Sequence, residues 1–190
     1  MGLLAQLKDQ VFLARRTQNA LTSSPNAQRL LDLIQSKEAR AGVIGLGYVG
    51  LPLAMTIARG GFKGVGFDID PGKITAIDAG RSYIEAVSDE VVGDGRQDDG
   101  FVAPSDFSRL AECDVIAICV PTPLTRYREP DLSYVEKTCR DIAAHLRKGQ
   151  LIVLESTTYP GTTDGVVKTI LESTGLVSGV DFFLGFSPER

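Results

Sequence analysis

The sequence is poor in the residues that build disulfide frameworks and metal sites. Its 190 residues include three cysteines, one histidine and no tryptophan. Cys113, Cys119 and Cys139 are odd in number and fit neither a CxxC pair nor a Cys/His spacing, so we predict reduced thiols and no bound metal. His145 lies among charged residues of a predicted helix, where a solvated helix-end position explains it better than catalysis does.

Long apolar runs and a strong charge excess are also absent. No segment approaches the run of about 18 apolar residues that spans a membrane. The opening MGLLAQLKDQ lacks the basic segment, apolar run and cleavage site of a secretory signal. The formal charge of -4 comes from acidic and basic residues mixed along the chain, so the sequence has no basic cluster of the kind that binds nucleic acid. We therefore expect a cytoplasmic protein without membrane or nucleic-acid partners.

Residues 1–40 differ from the rest of the chain in the pattern of their apolar residues, which predicts an N-terminal helical extension. Apolar residues recur at helical spacing on both sides of the break at 23–26. Those residues are Leu4, Leu7, Val11 and Ala14 before the break and Leu30, Leu31 and Ile34 after it. This pattern predicts two short amphipathic helices. Packing of these helices on the remaining domain is favoured over contact with a partner subunit.

Residues 41–190 alternate between short apolar runs and segments of helical period. The predicted strands are 41–45, 63–68, 114–120, 151–155 and 182–186. The predicted helices are 48–59, 71–78, 105–110, 132–146 and 162–173. Short strands buried on both faces and separated by helices are typical of an α/β protein with a doubly wound parallel sheet. Residues 88–100, rich in glycine and aspartate, predict an irregular exposed segment.

A glycine-rich turn follows the first predicted strand directly and opens a helix. It reads GLGYVG at positions 45–50, a GxGxxG motif in the context that dinucleotide binding needs. Gly45 permits the tight turn, Gly47 lets the backbone approach a pyrophosphate, and Gly50 allows the helix to pack on the strand. The free N–H groups of Tyr48 and Val49 should then face the phosphates. The sheet is therefore predicted to be of Rossmann type.

An acidic residue ends the second predicted strand. Asp68 lies 18 residues after Gly50, close to the spacing of about 20 expected for the acid that binds the adenosine ribose. A carboxylate there accepts from ribose hydroxyls and repels a 2′-phosphate, so NAD is preferred to NADP, and Lys73 can reach back toward the same site. Ordinary turn glycines and a strand-end acid are the alternative, but strand, glycines, helix and acid together favour the cofactor.

Three further predicted strands end in loops at the same edge of the predicted sheet. Pro121 and Thr122 come after the third, Thr157 after the fourth and Glu189 after the fifth. The first three would lie near the nicotinamide, although such residues also form ordinary loops and helix caps. A carboxylate at Glu189 could act as a general base, while from the residues alone a salt-bridged surface acid is the better explanation.

Six stretches, in this order, together resemble the UDP-glucose/GDP-mannose dehydrogenase family, and most closely its UDP-N-acetylglucosamine 6-dehydrogenase branch. They are GVIGLGYVGLPLA, GFDID, SYIEAVSDE, CVPTPLTRYREPDLSYV, LESTTYPGTT and FSPER. The resemblance implies oxidation of the C6 alcohol of a UDP-hexose to an acid by two hydride transfers to NAD. It also implies a cysteine-bound thiohemiacetal and thioester, and a homodimeric full-length enzyme.

The resemblance assigns roles to particular residues. Thr157 corresponds to a threonine that positions the catalytic water, and Glu189 to the general base for thioester hydrolysis. Thr122 corresponds to a threonine near the cofactor, and Asp68 and Lys73 to the ribose-binding pair.

The chain also departs from the family pattern. None of its cysteines corresponds to the nucleophile, because family members are longer and carry it in a second half with the nucleotide-sugar pocket. We expect the chain alone to be inactive. A UDP-glucose or other NDP-hexose dehydrogenase and a non-catalytic NAD-binding module are the alternatives.

Overall fold

The structure, a computed structural model, describes residues 24–97 and 100–187. The first predicted amphipathic helix, at residues 4–14, and Glu189 lie outside the described residues. The predicted division of the chain at residue 40 stays a prediction.

Six parallel strands form one sheet, and their order is β3-β2-β1-β4-β5-β6. The strands are β1 (Arg40–Ile44), β2 (Lys63–Phe67), β3 (Phe101–Val102), β4 (Val115–Ile118), β5 (Leu151–Leu154) and β6 (Phe183–Phe186). This order is that of the Rossmann fold, so the predicted doubly wound parallel sheet is confirmed. Central β1 pairs with β2 on one side and with β4 on the other.

Helices cover both faces of the sheet. They are α1 (Pro25–Ser36), α2 (Gly50–Arg59), α3 (Pro71–Asp78), α4 (Asp89–Gly95), α5 (Ser133–Ala143) and α6 (Lys168–Glu172), with a 3-10 helix at Phe107–Glu112 and a π-helical turn at Thr163–Val167. Neighbouring residues of β1 face opposite cores: Val43 packs with α2, α3 and α4, and Ile44 with α5 and α6. This alternation is what a strand buried on both faces requires.

The helix after the predicted break packs on the domain. Leu30 of α1 is buried, and the side chains of Ser24 and Asn26 donate to the carbonyl of Val180, at 3.3 and 3.1 Å. In the part of the chain that the structure describes, no helix is long and apolar enough to cross a membrane.

The prediction of an irregular segment at residues 88–100 was wrong for residues 89–95, which form α4. Ser88 caps α4 by accepting from the amide of Val91 at 3.3 Å, and Val92 is fully buried. One of the glycines that suggested an irregular loop has a packing reason instead, because a Cβ at Gly95 would lie 2.8 Å from the sulfur of Met55 in α2. The two-residue β3, which follows directly, was missed because so short a strand has no readable alternation.

Candidate cofactor site

A crevice of about 580 Å³ opens at the carboxyl ends of β1 and β4. The strand order reverses between these two strands, and ligands of open α/β sheets bind at such switch points. All residues predicted to bind the cofactor, except Gly50, line the crevice: Gly45, Gly47, Tyr48, Val49, Asp68, Lys73, Pro121, Thr122 and Thr157. The structure therefore brings residues from four loops to one place.

The three motif glycines are required for different reasons. Gly45 has a φ of 88°, and a Cβ there would lie 2.7 Å from the carbonyl oxygen of Cys119. A Cβ at Gly50 would lie 1.8 Å from the carbonyl oxygen of Gly45, so this glycine lets α2 approach the turn. No atom in the described part of the chain lies within 4 Å of the Cβ position of Gly47. Packing therefore explains Gly45 and Gly50, whereas the space beside Gly47 is open to a ligand.

Three residues that line the crevice have unpaired amides. Within the described residues, the N–H groups of Gly47, Tyr48 and Val49 have no protein acceptor, and no side chain caps the N-terminus of α2. Bare amides at the positive end of a helix dipole form an anion site. The turn thus fits the diphosphate of a dinucleotide, on its geometry alone.

Asp68 has a second task that the sequence did not reveal. Its side chain is almost completely buried; Oδ2 accepts from the amide of Leu46 at 2.8 Å and from Nζ of Lys73 at 2.7 Å, and Oδ1 accepts from the amide of Asp70 at 2.9 Å. The carboxylate therefore ties the glycine turn to the end of β2. An ionised carboxylate has about four acceptor positions, which leaves room for a ribose hydroxyl.

Replacing Asp68 should affect both tasks. We expect Asp68→Ala to weaken NAD binding by about 1 to 3 kcal/mol and to lower stability as well, since buried amides lose their acceptor. Isothermal titration calorimetry and thermal unfolding measure the two effects. Asp106→Ala is the matched control, because this exposed carboxylate accepts from the amide of Ser108 at 2.8 Å outside the crevice. Unchanged NAD affinity in Asp68→Ala would refute the predicted ribose contact.

The loops after β4 and β5 are joined at the other end of the crevice. Oγ1 of Thr122 donates to the carbonyl of Thr157 at 2.7 Å, and Oγ of Ser156 donates to the carbonyl of Val120 at 2.6 Å. Sequence reasoning missed Ser156 and the buried Glu155, both of which line the crevice. Their signal was available, since both polar residues directly follow a buried strand.

Cys113, Cys119 and Cys139 form no disulfide bond among the described residues. Burial raises the pKa of Cys113 and of Cys139 to about 12, so neither is a ready nucleophile. Cys119 is less buried and lines the crevice. Among the described residues, no cluster of histidine, cysteine and carboxylate side chains could hold a metal ion.

Strand order, glycine turn and strand-end acid define a dinucleotide-binding domain of Rossmann type. Residues 39–190 match the UDP-glucose/GDP-mannose dehydrogenase family, NAD binding domain. The chain belongs to this family as its NAD-binding domain, and its cofactor is NAD.

Known proteins of several specificities are similar to the chain. It is 36% identical over 155 residues to the UDP-N-acetyl-D-glucosamine 6-dehydrogenase of Pseudomonas aeruginosa, covering 81% of this chain and 36% of that protein. The structure of the UDP-N-acetylmannosamine dehydrogenase of Pyrococcus horikoshii superposes with a TM-score of 0.75 at 38% identity, covering 80% of this chain and 36% of that one. The structure of a ternary complex of the Pseudomonas aeruginosa GDP-mannose dehydrogenase superposes with a TM-score of 0.76 at 35% identity, with the same coverage of both chains. The chain spans about a third of the length of these relatives.

Proposed function

We propose that this chain is the NAD-binding part of a nucleotide-sugar 6-dehydrogenase that oxidises the C6 alcohol of a UDP-N-acetylhexosamine to a carboxylate with two NAD. The observation that carries the proposal is the crevice itself, in which an uncapped glycine turn, an acid paired with Lys73 and two hydroxyl-bearing loops converge. Bound NAD supplies the hydride acceptor.

In this proposal each loop binds or orients one part of the reacting system. The amides of Tyr48 and Val49 hold the diphosphate, and Asp68 accepts from the adenosine ribose. Thr122 fixes the loop that carries Thr157 through the 2.7 Å bond to its carbonyl, so that Thr157 is held where the nicotinamide and the attacking water meet. Glu189, outside the described residues, is proposed as the general base toward that water.

Support for an N-acetylated sugar comes from the relatives. Proteins named for UDP-N-acetylglucosamine and UDP-N-acetylmannosamine share 34 to 38% identity with the chain. A GDP-mannose 6-dehydrogenase shares 35%, and a UDP-glucose dehydrogenase of known structure shares 31%. The identity to the GDP-mannose enzyme thus falls within the range of the N-acetylated group, and the identity to the UDP-glucose enzyme falls below it.

Turnover by the whole protein that contains this domain tests the proposal. We expect two NADH per UDP-N-acetylhexosamine, measured by NADH absorbance, because alcohol-to-acid oxidation removes two hydrides. UDP-glucose and GDP-mannose complete the panel. Turnover of one of these alone would correct the sugar, and one NADH per sugar would contradict acid formation.

The 190-residue chain is the matched control for this assay. It is expected to bind NAD and to oxidise no sugar, since none of its cysteines corresponds to the nucleophile. NAD binding without turnover of any sugar by the whole protein would identify a non-catalytic NAD-binding module instead.

A further inference from the structure

A tyrosine outside the motif holds the middle of the glycine turn. The hydroxyl of Tyr83, in the segment between α3 and α4, donates to the carbonyl oxygen of Leu46 at 2.7 Å. This is the only donor to that carbonyl among the described residues, and Leu46 has no exposed surface. A buried carbonyl without a donor is costly, so the phenol meets a real requirement of the turn.

The geometry of the peptide bond connects this contact to the ligand side. The carbonyl of Leu46 and the N–H of Gly47 belong to one planar unit, and the described chain has no cis peptide bonds. In a trans peptide these two groups point in opposite directions. A carbonyl held by Tyr83 on the protein side therefore directs the Gly47 N–H away from Tyr83, and that N–H has no protein acceptor.

The preceding peptide unit is fixed as well. The amide of Leu46 donates to Oδ2 of Asp68 at 2.8 Å. The Leu46 residue is thus held at its N–H by a carboxylate and at its carbonyl by a phenol. The two anchors come from different parts of the chain, and together they set the orientation of the turn.

We propose that Tyr83 is a positioning residue that orients the Gly47 N–H toward the diphosphate of bound NAD. The inference rests on NAD binding in this crevice. Burial, reinforced by the nearby Asp68 and Asp70 carboxylates, raises the pKa of the Tyr83 phenol, which keeps the hydroxyl protonated as a donor.

A purely structural role for Tyr83 makes a different prediction. Its ring packs against the core that contains Val43 and Leu46, and phenylalanine would keep this packing. If only the ring matters, Tyr83→Phe leaves NAD affinity unchanged. If the hydroxyl orients the turn, the same variant loses affinity while its fold persists.

The test compares Tyr83→Phe with the wild-type chain by calorimetry and thermal unfolding. We expect the dissociation constants of NAD and ADP-ribose to rise together, about three- to tenfold, because the variant lacks the buried hydrogen bond that orients the Gly47 N–H toward the diphosphate of both ligands. The melting temperature of Tyr83→Phe should stay within a few degrees of that of the wild-type chain. Tyr127→Phe is the control, since this exposed hydroxyl has no protein partner within the described residues and lies outside the crevice.

The possible outcomes distinguish a failure of this inference from a failure of the cofactor-site assignment. Wild-type affinity in Tyr83→Phe, with NAD binding intact in the parent, would overturn the role of Tyr83 alone. Loss of affinity only in parallel with a collapse of the melting transition would also overturn it, because the hydroxyl would then stabilise the fold as a whole instead of orienting the turn. A parent chain that binds no NAD would overturn the crevice assignment and this inference with it.

Discussion

Gly47→Ala is expected to weaken NAD binding roughly 100-fold, about 2.7 kcal/mol, without loss of stability. No atom of the described residues 24–97 and 100–187 lies within 4 Å of the Cβ position, and the φ of Gly47 is outside the left-handed region. The added methyl group therefore meets no protein atom and instead enters the space where a diphosphate would approach the backbone. Calorimetry with NAD and thermal unfolding of the same samples measure the two quantities.

Gly93→Ala is the matched control for this substitution. Gly93 lies in α4, away from the crevice, and likewise has no atom of the residues that the structure describes within 4 Å of its Cβ position. Alanine is a better helix former than glycine by about 1 kcal/mol, so this variant should keep its NAD affinity and gain slightly in stability. Wild-type NAD affinity in Gly47→Ala would show that the diphosphate does not approach the turn at this residue.

Gly50→Ala, three residues further along the chain, should differ from Gly47→Ala by destabilising the fold, by about 3 kcal/mol or more. Its Cβ would lie 1.8 Å from the carbonyl oxygen of Gly45 and 2.9 Å from the carbonyl carbon. Both are backbone atoms, so relief requires α2 to move away from β1. For a chain of this size we expect the melting temperature to fall by roughly 6 to 12 °C.

Chemical denaturation of Gly50→Ala and Gly47→Ala side by side separates the two tasks of one motif. A Gly50→Ala protein that unfolds at the wild-type denaturant concentration would contradict the close contact between helix and turn. NAD affinity should also fall in this variant, but as a consequence of the displaced turn.

Much of the fold could be predicted because its signals are local. All five predicted strands cover the observed ones or differ from them only at their ends, since valine- and isoleucine-rich runs between helices identify buried parallel strands. The observed strand starting at Arg40 begins one residue earlier than predicted. Helix α4 was missed because Gly93 and Gly95 suggest a loop, and only the contact of Gly95 with Met55 explains a glycine there.

The candidate site was likewise predictable only in part. The glycine turn and Asp68 follow from spacing along the chain. Tyr83 does not, because a tyrosine 37 residues from its carbonyl partner has no sequence pattern that distinguishes it from a packing residue. The bond of Thr122 to the Thr157 carbonyl likewise joins two loops that the sequence left equally open between function and ordinary loop chemistry.

The sequence by itself determined the class of fold, the position of the turn and the nature of the ligand that the turn suits, because backbone conformation and hydrophobic period are local properties. The tertiary structure alone decided which partners hold the turn in place. Asp68 and Tyr83 reach Leu46 from distant points of the chain. Such contacts depend on how strands and helices pack against each other, and this packing is not encoded in the spacing of any single segment.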